Sequence, residues 1–150
     1  MPNLLACTKK CWNDATCRRL MTVPGVGPVV ALAYAATIDI PQRFRNSNAV
    51  GPILGLTPKL NESGESKRVG CISLCGDGMM RTLLYEAAQT VMTRVTKWSW
   101  LKAWAMNVAK RRGMRKAIVA LARRLAVVMH RMWLDGTEFR WTRETMASAI

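Results

Sequence analysis

A serine can attack a phosphodiester when it is exposed, has a route for its proton and lies near cations that stabilise the charged transition state. The segment Ser63-Gly64-Glu65-Ser66-Lys67-Arg68 offers the first and third conditions, with two hydroxyls beside two cations on an expected loop. It brings no clear base, because the single histidine, His130, is distant and Glu65 is only a local carboxylate. On spacing alone, a solvated Ser-Gly turn explains these six residues better than a nucleophile does. A second pattern is Pro24-Gly25-Val26-Gly27 ahead of a small-residue helix. It matches the hairpin of helix-hairpin-helix modules, where glycine lets the backbone approach a phosphate and helix N–H groups point at it without reading sequence. An ordinary helix-opening turn has the same pattern. A dinucleotide-binding reading of Gly25-Val-Gly-Pro-Val-Val-Ala31 fails, since no convincing strand precedes it and no βαβ unit with an acidic residue follows.

Metal chemistry finds little support. Two-metal phosphoryl transfer needs carboxylates that converge on Mg²⁺, whereas Asp14, Asp39, Glu62, Glu65, Asp77, Glu86, Asp135, Glu138 and Glu144 are scattered over expected turns, caps and helix surfaces. No metal or other cofactor is therefore assigned to this chain. Cys7, Cys11, Cys17, Cys71 and Cys75 have C-x3-C spacings unlike common zinc knuckles. They read as free, partly buried thiols in a reducing compartment.

The charge balance names a partner class. With 23 Lys plus Arg against 9 Asp plus Glu, the formal charge is +14, and a polyanion such as DNA or RNA is the expected ligand. Lys67 and Arg68 beside the serines, Arg81 early in an expected long helix, and Lys110, Arg111 and Arg112 at the end of the next are candidate phosphate contacts, more as a set than singly. Trp98, Trp100 and Trp104 can stack bases, but their helical spacing favours packing between helices. The uncharged run from Met21 to Ile38 is interrupted by Pro24, Gly25, Gly27 and Pro28, and what remains is too short to cross a bilayer. Lys9, Lys10, Arg18 and Arg19 are scattered where a secretory signal would have an apolar run. A cytoplasmic, nucleoid-associated protein with no membrane partner is expected.

The elements that position these residues read as mainly α. A chain of 150 residues supports one domain with a core. Residues 1–20 suggest a frayed helix with Leu4, Leu5, Cys11, Trp12 and Leu20 on one face. Pro28 opens a helix that closes before Ile40-Pro41. Ser47 is placed to cap a brief helix ending at Gly55, and residues 58–77 are the least helical stretch, with Val69 and Ile72 able to pair in a small hairpin. Gly76 or Asp77 then opens a helix with a 3.6-residue apolar period. Ser99 restarts a second segment as far as Gly113, and a third runs from Met114 to Leu134 with Gly136 as its stop.

Three ordered segments carry a resemblance. They are Leu20-Met-Thr-Val-Pro-Gly-Val-Gly-Pro28; Arg43-Phe44 leading to Gly55-Leu-Thr-Pro58 with Ser63-Gly64; and Gly70-Cys-Ile-Ser73 through Gly76-Asp77 to Arg81-Thr-Leu-Leu84. With Lys116-Ala117 and Ala120-Leu-Ala-Arg-Arg-Leu125 following, this order resembles the C-terminal domain of IS110/IS116/IS902 transposases over roughly residues 18 to 141. The resemblance implies a compact helical domain with a helix-hairpin-helix-like turn and a short hairpin or loop insertion. It divides the chain into a helical connector (1–20), the transposase C-terminal domain (21–141) and a tail (142–150). It makes Ser63 the nucleophile, ahead of Ser66 and Ser73, and matches Gly25 and Gly27 to the family's turn and Arg81 to a recurrent arginine. It further implies a RuvC-like N-terminal domain with an acidic tetrad for Mg²⁺, which these residues lack, a guide RNA, and an oligomer with itself or a full-length transposase. The chain is thus expected to bind DNA for transposition and to be incomplete as a recombinase alone. The alternative is a non-catalytic, regulatory DNA- or RNA-binding module.

Overall fold

Asp14 sets the first break in the chain. The computed structural model describes residues 4–63, 66–72 and 77–141, and side chains within these except Leu4, Cys7 and residues 58–72. Where the sequence suggests one frayed helix there are two, α1 (Leu4–Asn13) and α2 (Ala15–Leu20). Asp14 is extended, and its carboxylate accepts from the Thr16 N–H at 2.8 Å, the geometry of a helix N-cap. The buried face also differs: Cys11, Cys17 and Leu20 are fully enclosed, while Leu5 and Trp12 face outward. Burial raises the Cys11 thiol's pKa and pushes that of Cys17 up to about 12, so both remain protonated free thiols at neutral pH.

Helix α3 (Pro28–Ile38) begins with proline at its first position and stops at Asp39, whose φ of 60° turns the chain before Ile40-Pro41. Two single 3-10 turns, Pro41–Arg43 and Ser47–Ala49, lead into α4 (Val50–Ile53). Asn46 caps the second turn by accepting from the Ala49 N–H at 3.1 Å, a role the sequence suggests for Ser47. Strands β1 (Pro58–Ser63) and β2 (Ser66–Ile72) pair antiparallel, with Leu60 opposite Val69 and Ser63 opposite Ser66.

Helix α5 (Gly78–Thr93) is capped by Asp77, which accepts from Met79 and Met80. Helix α6 (Trp100–Arg112) is capped by the Ser99 hydroxyl. Helix α7 (Met114–Asp135) ends at Gly136, whose φ of 68° is the left-handed conformation that glycine adopts freely. The described architecture is mainly α, and among the described residues no helix is long and apolar enough to cross a membrane.

Helix α7 is the spine, packing against α5 and α6 and touching α2 and α4. Ile118, Leu121, Leu125, Met129 and Met132 line its buried face, and each such side chain removed from water contributes about 1.5–3 kcal/mol before entropy is subtracted. The Tyr34 hydroxyl of α3 donates to the Ala126 carbonyl of α7 at 2.6 Å, satisfying a buried polar group within the core. The segment after α7 folds back. The Phe139 N–H donates to the Thr22 hydroxyl at 2.8 Å, and the Trp100 N–H to the Trp141 carbonyl at 3.2 Å.

The Pro24–Gly27 turn is held by this packing. Gly25 has a φ of 81°, and a Cβ there would lie 2.6 Å from the Ala87 carbonyl oxygen and 2.8 Å from Val91 Cγ2 on α5. Gly25 therefore meets both a conformational and a steric demand of the core. Gly27 is extended and has open space where a side chain would go. Gly25→Ala is expected to cost about 2–4 kcal/mol in denaturant unfolding, and Gly27→Ala about 1 kcal/mol or less. Equal costs would show that the two glycines do not differ in this way.

Candidate nucleic-acid interface

The densest charge lies where α6 meets α7. Lys110, Arg111 and Arg112 close α6, Gly113 turns the chain at a φ of 90°, and Arg115 and Lys116 fall in the first turn of α7. All five cations are exposed. The first three sit at a helix C-terminus, where the backbone dipole favours positive charge. Arg115 and Lys116 sit at an N-terminus, where each is disfavoured by about 0.3–1 kcal/mol. Helix stability does not account for these two. Between Glu86 and Asp135 the sequence contains no acidic residue, while cations recur from Arg94 to Arg131. The corner therefore has no local carboxylates in its own helices to neutralise it.

The tryptophans divide by environment. The Arg124 guanidinium lies 4.4 Å from the Trp104 ring centroid and 5.6 Å from that of Trp100. Trp100 also stacks on Phe139 and donates its indole N–H to the Arg140 carbonyl at 2.9 Å. These two rings pack between elements, as their spacing suggests. Trp98 is 62% exposed.

Ser63 and Ser66 form the last pair of the β1–β2 ladder. Ser63 stands opposite Ser66, Lys67 opposite Glu62 and Arg68 opposite Asn61. Gly64, Glu65 and Ser73 lie outside the described residues, as do the side chains of Ser63, Ser66, Lys67 and Arg68. At the hairpin's base, Arg81 is half-buried and donates from Nη1 to the Leu54 carbonyl at 3.2 Å. Arg81 thus belongs with the root of the hairpin, and the Lys110–Lys116 corner is formed by different elements.

His130 has a place that spacing alone does not reveal. It is fully buried on α7, with Nε2 2.8 Å from the Pro41 carbonyl and Nδ1 2.9 Å from the Ser47 hydroxyl. A carbonyl only accepts, so Nε2 carries a proton and donates to Pro41, while Nδ1 pairs with the Ser47 hydroxyl. Phe44 meets the ring edge-on at 5.4 Å. Both nitrogens are thus committed to holding the two 3-10 turns on α7. The signal in the sequence is a lone histidine at an apolar helix position, which usually marks a satisfied core group. Among the described residues no three His, Cys, Asp or Glu side chains converge closely enough to hold a metal ion. Asp14 and Asp77 accept backbone N–H groups as helix caps.

Residues 17–105 match the model of the transposase IS116/IS110/IS902 family. The chain belongs to this family. It is 35% identical over 114 residues to the transposase for insertion sequence element IS1111A of Coxiella burnetii, covering 75% of this chain and 31% of that protein. It is 30% identical over 128 residues to the transposase for insertion sequence element IS1328 of Yersinia enterocolitica, covering 85% of this chain and 38% of that protein. The chain therefore spans about a third of the length of the relatives it matches. The matched region runs from α2 through the hairpin into α6 and includes both the Gly25 turn and Ser63.

The polar tether at His130 is open to measurement. His130→Ala should destabilise the chain by about 2–4 kcal/mol, since it removes a packed ring and strands the buried Pro41 carbonyl, while Ser47→Ala should cost about 1 kcal/mol. Equilibrium urea unfolding compares the two, and a His130→Ala midpoint equal to that of the parent would contradict the assignment.

Proposed function

We propose that this chain is the DNA-holding, serine-bearing part of a transposase. It binds the phosphate backbone unaided through the Lys110–Lys116 corner, and it carries out strand chemistry at Ser63 only in company with a metal-bearing domain of a full-length family member. The observation that supports binding most directly is the corner itself: five exposed cations on two helix ends, two of them where the helix disfavours them, within a stretch that contains no acid. Lys67 and Arg68 would extend the interface along the hairpin. Gly27, at the open start of α3, is a further point where backbone can approach a phosphate, whereas Gly25 serves the packing against α5. Family membership favours DNA of a mobile element as the ligand, with a guide RNA and an oligomeric assembly as further partners, in the cytoplasm at the nucleoid.

The proposed chemistry balances without redox. Ser63 Oγ forms a bond to phosphorus, the bond from phosphorus to the bridging oxygen breaks, and that oxygen leaves as a strand hydroxyl that takes up a proton. The serine gives up its own proton in the same step. The phosphoseryl ester keeps the phosphodiester's energy, so attack by another strand hydroxyl reseals DNA and frees the serine.

Two measurements test the halves of this reading separately. Replacing Lys110, Arg111 and Arg112 together by alanine should make the dependence of log affinity on log salt shallower, by roughly 0.9 for each phosphate that is no longer neutralised. An unchanged slope would remove the corner from the interface. For the chemistry, the chain is combined with a full-length family transposase whose own serine has been replaced, its guide RNA and nicked target DNA. Ser63→Ala should then abolish the covalent protein–DNA adduct while leaving binding intact, and an adduct that persists would rule out Ser63. Binding that never leads to an adduct, even with the parent chain, would favour a non-catalytic regulatory module.

A further inference from the structure

From the hydrogen bonding at the hairpin's root we infer that Arg81 is a positioning residue, which fixes the base of the β1–β2 hairpin that carries Ser63, and that it does not bind phosphate. The inference rests on the reading of Ser63 as the nucleophile. The hairpin leaves the helical body at two points. On one side, α4 ends at Leu54 and Gly55 turns at a φ of 69° before Leu56 leads to β1. On the other, Asp77 caps α5 beyond the end of β2. Arg81 lies on the first turns of α5 and reaches across to the Leu54 carbonyl, joining the two points through one charged hydrogen bond.

That carbonyl needs a partner. Leu54 is fully buried, and the last carbonyls of a helix find no N–H within it. The neighbouring groups are already engaged locally: the Gly55 N–H donates to Pro52 and the Leu56 N–H to Gly51. The rest of this leg is equally constrained. A Cβ on Gly51 would come within 3.1 Å of Arg123 Cγ on α7, and Ser47 is held by His130. The α4 leg is thus fixed to α7 at two places, and Arg81 is the described link from its end to α5. A guanidinium committed to a buried carbonyl is poorly placed to gain from a solvent-facing phosphate, whereas breaking the link frees one leg of the hairpin relative to the other.

The test uses Arg81→Ala and Arg81→Lys in the full chain, with Ser63→Ala as the reference for chemistry. For Arg81→Ala the expected result has three parts. The salt slope of DNA binding matches the parent, the rate of adduct formation falls about tenfold or more, and amide hydrogen exchange quickens at the Leu60–Val69 and Asn61–Arg68 pairs. Arg81→Lys, which keeps the charge and one donor, should recover part of both the rate and the protection. A salt slope shallower by about 0.9, or full recovery by lysine, would identify a phosphate-binding residue and overturn the inference. Unchanged hairpin exchange would overturn it as well. Hydrogen exchange needs no chemistry, so it judges Arg81 even if Ser63→Ala still forms adduct, an outcome that would defeat the nucleophile reading alone.

Discussion

The buried face of α7 is the constraint on which the rest of the structure depends. From Ala117 to Met132 it presents an apolar stripe that α5 and α6 cover along its length. A helix this apolar on one side is stable only while that side is covered, so the elements on it must bring apolar surface or offset any polar group with a hydrogen bond. Tyr34 and His130 are polar intrusions among the described residues, and each is satisfied: Tyr34 by the Ala126 carbonyl, and His130 by Pro41 and Ser47. These bonds also give direction. Apolar packing alone tolerates sliding, whereas a hydroxyl that must reach one carbonyl fixes the position of Tyr34 relative to α7.

Much of this is legible in the sequence wherever one residue determines one local event. Pro28 opens α3, Ser99 caps α6, Asp77 caps α5 and Gly136 stops α7, because proline, side-chain oxygens and glycine act over three or four residues of their own chain. Sequence and structure diverge where the partners are far apart along the chain. Ser47 is a plausible cap by type, yet its hydroxyl goes to His130, 83 positions on, and the adjacent Asn46 does the capping. Cys17 lies three residues before Leu20 in α2 and is buried on the same side, a neighbour relation that becomes plain once the helix is seen to restart after Asp14. Gly25 can be recognised as necessary, but the reason for it, the approach of α5, is a tertiary fact. For the site the same division holds. The Lys110–Lys116 cluster is visible in the sequence because its members are neighbours, whereas the link from Arg81 to Leu54 joins residues 27 positions apart.

Charge and core are distributed over the same helices in a way that bears on function. The stretch from Ala87 to Leu134 supplies Leu101, Ala105, Ile118, Leu121 and Leu125 to the interior, and its charged residues are all positive. A domain that needed only solubility could mix both signs and gain weak surface pairs. Omitting every acid forgoes those pairs and adds self-repulsion, a cost that a bound polyanion would reverse. Arg124 shows how the fold accommodates some of this charge against its own rings: its guanidinium lies over Trp100 and Trp104, whose faces attract a cation.

On the proposed reading, placement of the serine on a hairpin and of the densest charge on a helix corner would separate holding from reacting. Phosphate binding tolerates positional error, because Coulomb attraction falls slowly with distance and each cation samples many rotamers. In-line attack on phosphorus tolerates very little, since the nucleophile must be both near and aligned. A flexible cluster of lysines and arginines on exposed helix ends suits the first demand. The second calls for a short rigid element whose two legs are tied to the core, and the β1–β2 pair meets it only insofar as its roots are fixed. The described roots are fixed by groups from two helices: Arg81 of α5 on the Leu54 carbonyl, and Arg123 and His130 of α7 against Gly51 and Ser47, which belong to α4 and the turn before it. If Ser63 is the nucleophile, the hydrogen bonds beneath the hairpin would matter to the reaction as much as the charge around it, because they tie its described root to the helical body.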